Sequence, residues 1–122
     1  MGAASACMGC SLASCGDESI SPVDFTLDIS QPANAALQSV GGSLIKDQVI
    51  IARTSTLDFV ALAKACTHQG TTLSYEPTNS RLHCSNHGSN FSLTGSVING
   101  PASKSLQKFN TELTANILRI FS

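Results

Sequence analysis

The sequence is poor in charged and aromatic side chains. Of its 122 residues, 12% are Asp, Glu, Lys or Arg, 5% are aromatic, and none is tryptophan. With seven basic residues against eight acidic ones, the chain has no basic field that could hold a phosphate backbone, so we expect no nucleic-acid partner. The length fits one domain, whose core must come from Val, Ile, Leu and Ala.

The first sixteen residues (MGAASACMGCSLASCG) contain no charged side chain. Their small, weakly apolar composition is typical of the later part of a signal peptide. The run Leu12-Ala13-Ser14-Cys15 resembles the bacterial lipobox, where a peptidase cleaves before a cysteine that then carries lipid. We therefore predict that residues 1–15 are a signal peptide remnant, that Cys15 is lipidated and that residues 16–24 form a tether. The protein would then be anchored on the outer, periplasmic face of a bacterial membrane.

A signal peptide should open with a basic residue, but the first one here is Lys46. We therefore expect the true start of the precursor to lie upstream of Met1. The segment also lacks the run of about 20 apolar residues that a membrane span requires, so lipid alone would provide the anchor. The alternative is a disordered tail in which the cysteines are incidental.

From Phe25 onward, short runs of alternating or β-branched residues are separated by Gly, Asn, Pro and Ser, which is typical of an all-β domain. We assign this domain to residues 25–122. The segment Ala33–Val40 is a weak helical candidate. The predicted strands are 25–29, Gln48–Arg53, Asp58–Ala63, Arg81–Cys84, Asn90–Leu93 and Asn116–Phe121.

Two short segments combine cysteine with histidine: Cys66-Thr67-His68 and Cys84-Ser85-Asn86-His87. Thiolate and imidazole ligands together suit zinc or an iron–sulfur centre. Structural zinc sites with two Cys and two His usually group their ligands by type, whereas each segment here supplies one of each. This spacing favours an iron–sulfur centre and leaves a zinc site as the alternative.

The two segments resemble the Rieske [2Fe–2S] family, whose pattern is C-x-H-x-G, then C-x-x-H-G-S, then a loop with G-P-A. The resemblance covers about residues 44–121. It implies a Rieske-type antiparallel β-sandwich with a small cluster-binding subdomain and one [2Fe–2S] cluster per chain. In this family the two cysteines hold one iron and the two histidines the other. The matching ligands are Cys66, Cys84, His68 and His87.

The resemblance also assigns roles around the cluster. Gly70 and Gly88 would let the backbone approach the cluster sulfurs, Ser89 would donate a hydrogen bond to a sulfur and raise the potential, and Pro101 would cover the cluster. The plainer alternatives are turn glycines, a solvated serine and a turn proline. His83 does not fit the ligand spacing and is expected on a strand, with a backbone or solvent partner.

Three positions depart from the pattern of the bc1 and b6f members. Thr71 and Asn86 stand where those members carry a disulfide between the cluster loops, and Phe91 stands where they carry tyrosine. Without the disulfide, we expect the cluster itself to hold the loops and the apo-protein to be loose there. Without the tyrosine donor, we expect a lower potential. Both departures weaken the case for quinol oxidation.

The resemblance implies an electron carrier linked to a respiratory or quinol/cytochrome chain, with no bond chemistry of its own. The partner would be a redox protein, such as a quinol-oxidising complex, a cytochrome or a larger oxidoreductase subunit, that contacts a small uncharged patch at the loops. Alternatives are the Rieske subunit of an arsenite-oxidase-like enzyme, the ferredoxin component of an oxygenase, or a structural lipoprotein.

Overall fold

Ten short strands and two 3-10 helices provide the regular structure of residues 22–67, 70–86 and 88–122, which this computed structural model describes. The strands are β1 (Asp24–Asp28), β2 (Ser43–Lys46), β3 (Val49–Arg53), β4 (Phe59–Ala63), β5 (Ser74–Glu76), β6 (Arg81–His83), β7 (Asn90–Ser92), β8 (Val97–Asn99), β9 (Lys108–Thr114) and β10 (Ile117–Phe121). The 3-10 helices are Pro32–Gln38 and Pro77–Asn79. The predicted leader and Cys15 lie outside the described residues.

The strands form two antiparallel sheets. The large sheet has the order β1-β10-β9-β4-β3-β2, and the small sheet is the meander β5-β6-β7-β8. The chain leaves the large sheet after β4, builds the small sheet and returns at β9. This arrangement confirms the predicted all-β fold with a small subdomain.

The large sheet has a core on each face. In β3, Val49 and Ile51 pack into the first core while Ile50, between them, packs into the second. The first core contains Leu27, Ile29, Leu37, Val49, Ile51, Phe59, Ala61, Phe109, Leu118 and Ile120. The second core contains Ile50, Leu62, Cys66, Leu73, Leu82, Cys84, Phe91, Ala102 and Leu106. The second core therefore joins the small sheet to the large one and includes both cysteines of the predicted site.

All six strand predictions are confirmed to within one residue at each end. The sequence did not predict β2, β5, β8 and β9. The helical candidate is a 3-10 helix that begins at Pro32 and has a non-helical residue at Asn34 (φ −110°, ψ 19°).

Candidate metal centre

Two loops with the same backbone hydrogen bonds present the cysteines. In the first cysteine loop (residues 66–71), the Cys66 N–H donates to the Thr71 carbonyl at 2.7 Å, and the Gly70 N–H donates to the Cys66 carbonyl at 2.7 Å. In the second cysteine loop (residues 84–89), Cys84 donates to Ser89 at 2.8 Å and Gly88 donates to Cys84 at 3.0 Å. The two cysteine loops therefore share the same pattern of backbone hydrogen bonds.

Gly70 and Gly88 occupy equivalent places in these turns. Their φ angles are +75° and +81°, in the left-handed region that residues with a Cβ rarely adopt. A Cβ added at either glycine would meet no other described atom within 4 Å, so among the described residues it is the turn conformation that favours glycine here. The predicted approach to cluster sulfurs is not tested by these contacts and stays a prediction.

Both cysteine side chains are buried in the second core. Cys66 is 3% exposed and Cys84 is 2% exposed, and both carry thiols. Two buried thiols that reach one apolar cluster from separate loops form a donor set for a soft metal centre. Thiolates there need a compensating positive charge, because an isolated buried charge is costly. The two cysteines therefore fit an iron–sulfur cluster; His68 and His87, the other predicted ligands, lie outside the described residues.

A third loop (residues 100–107) is hydrogen-bonded to residues of both cysteine loops. Its Ala102 N–H donates to the Ser89 hydroxyl oxygen at 3.0 Å, and the carbonyl of Lys104 accepts a hydrogen bond from the Thr67 hydroxyl at 2.6 Å. The Gly100–Pro101 peptide of this loop is cis, and Pro101 is exposed. That Pro101 covers the cluster stays a prediction.

Ser89 is fully buried, which excludes the alternative of a solvated loop serine. A hydroxyl that accepts one hydrogen bond still has a proton to donate. The bond from Ala102 therefore fixes the Ser89 oxygen and leaves its O–H available for the predicted bond to a cluster sulfur.

Sequence reasoning missed a pair of asparagines that tie β8 to the second cysteine loop. The Asn90 amide group, which is 7% exposed, donates to the Asn99 side-chain oxygen at 2.7 Å. The Asn99 amide group in turn donates to the Gly88 carbonyl at 2.9 Å. Asn90 lies in a predicted strand, where asparagine is disfavoured, but the strand that carries Asn99 was not predicted, so the pairing of the two could not be seen in the sequence. We call this pair the asparagine bridge.

His83 lies on β6, as predicted. Its ring nitrogen Nδ1 is 2.7 Å from the Asn90 side-chain oxygen. The expectation of a backbone or solvent partner was wrong, because the buried amide of Asn90 faces the ring across the paired strands β6 and β7.

The charges of the small sheet are concentrated in one pair. Glu76 accepts a hydrogen bond from Arg81 at 2.6 Å, and this bond lowers the pKa of the Glu76 carboxyl below its usual value. Asn79 also donates to Glu76, at 3.3 Å. The pair closes the β5–β6 hairpin at the end opposite to the cysteine loops.

Comparison with known proteins identifies this arrangement. Residues 26–110 match the family profile described as the Rieske [2Fe-2S] domain. The chain belongs to the Rieske family. The Rieske domain binds a [2Fe–2S] cluster, which confirms the predicted cofactor and agrees with the two buried cysteines.

Relatives of the Rieske chain include a protein from Nostoc sp. strain PCC 7120 named cytochrome b6-f complex iron-sulfur subunit 3. The two are 39% identical over 54 residues, which are 44% of this chain and 30% of the relative. A similar relative, subunit 2 from Trichormus variabilis, is 33% identical over 55% of this chain and 38% of its own length. The chain thus spans about a third of the length of these curated relatives.

Solved structures share the fold. The cyanobacterial plasma membrane Rieske protein PetC3 from Synechocystis PCC 6803 has a TM-score of 0.61 and 25% identity, covering 72% of this chain and 93% of that one. The ferredoxin of carbazole 1,9a-dioxygenase from Nocardioides aromaticivorans IC177 has a TM-score of 0.58 and 17% identity, covering 83% and 97%. The second likeness shows the fold alone.

Proposed function

We propose that the protein is a one-electron carrier whose cluster is held by Cys66, Cys84, His68 and His87. The observation that carries this proposal is the repeated turn that brings Cys66 and Cys84 into one buried core. A Rieske cluster takes up and releases a single electron, at potentials of roughly −150 to +300 mV. The chain's own residues would bind the cluster and set that potential.

The second core shields the cysteine side of the site from water. Cys66 and Cys84 share this core with Phe91, Leu82 and Leu73, all buried. Ser89, whose oxygen is fixed by the Ala102 N–H, would donate a hydrogen bond to a cluster sulfur. Such a bond stabilises the more negative, reduced state and raises the potential. Phe91 has no hydroxyl and supplies no further donor.

The finer proposals concern placement in the cell. We propose that the chain is exported, anchored by lipid at Cys15 and tethered by the residues that precede β1, with the Rieske domain on the periplasmic side. The boundary predicted between residues 24 and 25 falls inside the domain, because Asp24 begins β1 and pairs with Arg119. The lipobox-like run supports this, and so does the similarity to a protein named as a plasma membrane Rieske protein. Among the described residues, none of the helices is long and apolar enough to cross a membrane.

We also propose that the electron partner belongs to a respiratory or quinol/cytochrome chain. Support comes from the relatives named as iron-sulfur subunits of the cytochrome b6-f complex. A pull-down from membranes tests this proposal. A carrier should not co-purify with another chain, whereas a stable subunit of a larger oxidoreductase should bring its catalytic chain with it.

Metal analysis together with electron paramagnetic resonance (EPR) tests the cluster itself. We expect iron and acid-labile sulfide in equal amounts and an EPR signal on reduction. Stoichiometric zinc without such a signal would overturn the proposed function. Mass spectrometry of the mature protein tests the anchor separately, since lipidated Cys15 should be the first residue.

A further inference from the structure

Three of the seven basic residues of this nearly neutral chain lie near the cysteine loops. Residues 64–108 contain four basic side chains and one acidic one, Glu76, which is engaged by Arg81. Residues 22–63 and 109–122 together contain three basic and five acidic side chains. The part of the chain that holds the site is therefore positive, and the remainder of the described domain is negative.

Three lysines make this positive patch. Lys64 is two residues before Cys66, and its carbonyl accepts a hydrogen bond from Leu73 at 2.7 Å. Lys104 lies on the third loop, at the point where Thr67 contacts it. Lys104 is exposed and Lys64 is half-buried.

Lys108 belongs to the same face of the large sheet. It pairs with Leu62, which packs into the second core, and cross-strand partners share a face. Lys108 is exposed. Lys64, Lys104 and Lys108 therefore border the side of the domain that carries the cysteine loops. We call these three residues the lysine patch.

The fourth lysine, Lys46, lies on the other face. It pairs with Val49 of the first core, and its ammonium group is 5.6 Å from the centre of the Phe25 ring. Asp47 lies in the turn that follows Lys46. The backbone carbonyl of its neighbour Gln48 accepts a hydrogen bond from the Lys64 N–H, which brings Asp47 close to Lys64. Asp47 therefore offsets part of the positive charge at the corner where Lys64 lies.

We propose that the lysine patch is a docking surface for an acidic redox protein. The proposal rests on the proposed electron-transfer function. Uncharged loops at the cluster with positive charge beside them suit a partner whose own redox centre is surrounded by acidic side chains. Such complementarity raises association rates by factors of 10 to about 1000 at low salt and is screened as salt rises. The patch would steer the partner, and the loops would make the short contact.

The test uses charged inorganic oxidants in place of the unidentified partner. Each hexacyanoferrate(III) takes one electron from the reduced protein and becomes hexacyanoferrate(II), with no proton transferred. We expect the second-order rate to fall as salt rises and, at low salt, to fall on the order of tenfold in the Lys64→Gln/Lys104→Gln/Lys108→Gln variant. A cationic oxidant, tris(phenanthroline)cobalt(III), should react at an unchanged or higher rate with this variant.

Lys46→Gln is the matched control for the single variant Lys108→Gln, because each removes one positive charge and the two lysines lie on opposite faces of the large sheet. Equal hexacyanoferrate rates in these two single variants would overturn the proposal. So would a rate that does not depend on salt.

A second readout does not depend on electron transfer, so it separates this proposal from the proposed function. Poly-L-glutamate added to the isotopically labelled protein should shift the amide NMR signals of Lys64, Lys104 and Lys108 and leave that of Lys46 in place. Shifts spread evenly over all lysines would count against the patch. If the three substitutions weaken binding to phosphatidylglycerol vesicles yet leave the hexacyanoferrate rate unchanged, the patch binds lipid and the proposal is wrong.

Discussion

The buried hydroxyl oxygen of Ser89 accepts the Ala102 N–H at 3.0 Å, and this bond joins the second cysteine loop to the third loop. Because the oxygen is fixed by the backbone of another loop, the direction of its own proton is restricted. Ser89 therefore has two effects that can be measured separately, one on the stability of the fold and one on the reduction potential of the cluster.

Ser89→Ala should keep the cluster but lower its reduction potential, since the bond that favours the reduced state is lost. It should also destabilise the fold by about 1–3 kcal/mol, because the buried Ala102 N–H loses its acceptor. An EPR-monitored redox titration and urea unfolding measure the two effects. Ser105→Ala, at an exposed position of the third loop, is the control. An unchanged potential in Ser89→Ala would show that the hydroxyl does not reach a sulfur.

His87→Ala should lose the cluster, whereas His83→Ala should retain it. The two histidines are four residues apart, but His83 is bonded to Asn90 on the neighbouring strand and does not fit the ligand spacing. Iron per chain, counted after anaerobic purification, separates them. A cluster that survives in His87→Ala, or one that is lost in His83→Ala, would refute the ligand assignment.

Asn99→Ala should loosen the second cysteine loop without unfolding the domain. Asn99 is exposed, so the substitution leaves no cavity, but it removes the shorter hydrogen bond to the Gly88 carbonyl and leaves the longer one from Asn90, at 3.3 Å. We expect a loss of about 1 kcal/mol in stability and faster loss of iron to a chelator. Asn110→Ala, an exposed asparagine on β9, should do neither. Equal iron loss in both variants would show that the asparagine bridge does not hold the loop.

Glu76→Gln should weaken the pH dependence of stability on the acid side. The folded pKa of Glu76 lies below its unfolded value, so its contribution is present above the unfolded pKa and is lost as the pH falls through the folded pKa. Urea midpoints measured from neutral pH down to about pH 3 should therefore fall less in Glu76→Gln than in the unaltered protein. Parallel curves would show that the pair with Arg81 contributes nothing.

The cofactor and the all-β fold could be predicted because both depend on local signals. Cys66 and Cys84 sit in short motifs with fixed spacing, and strands such as β3 and β10 carry runs or alternations of apolar residues. Each of these signals lies within a short stretch of sequence and can be recognised without knowing the fold. The prediction of a small subdomain followed from the same motifs.

The asparagine bridge and the lysine patch could not be predicted in this way. Asn90 and Asn99 are nine residues apart and meet only because β7 pairs with β8, a strand of three residues. Likewise, the placement of Lys108 near the site depends on the pairing of β9 with β4. Both features depend on strand register, which a short polar strand does not reveal in sequence.

In the proposed cluster, two cysteines hold one iron and two histidines hold the other. Pulsed EPR of the reduced protein, grown with 15N-labelled histidine, tests it most directly. We predict couplings from two directly bound histidine nitrogens that disappear in His87→Ala along with the cluster. A paramagnetic cluster with no histidine nitrogen coupling would show all-thiolate or other ligation and would contradict the account.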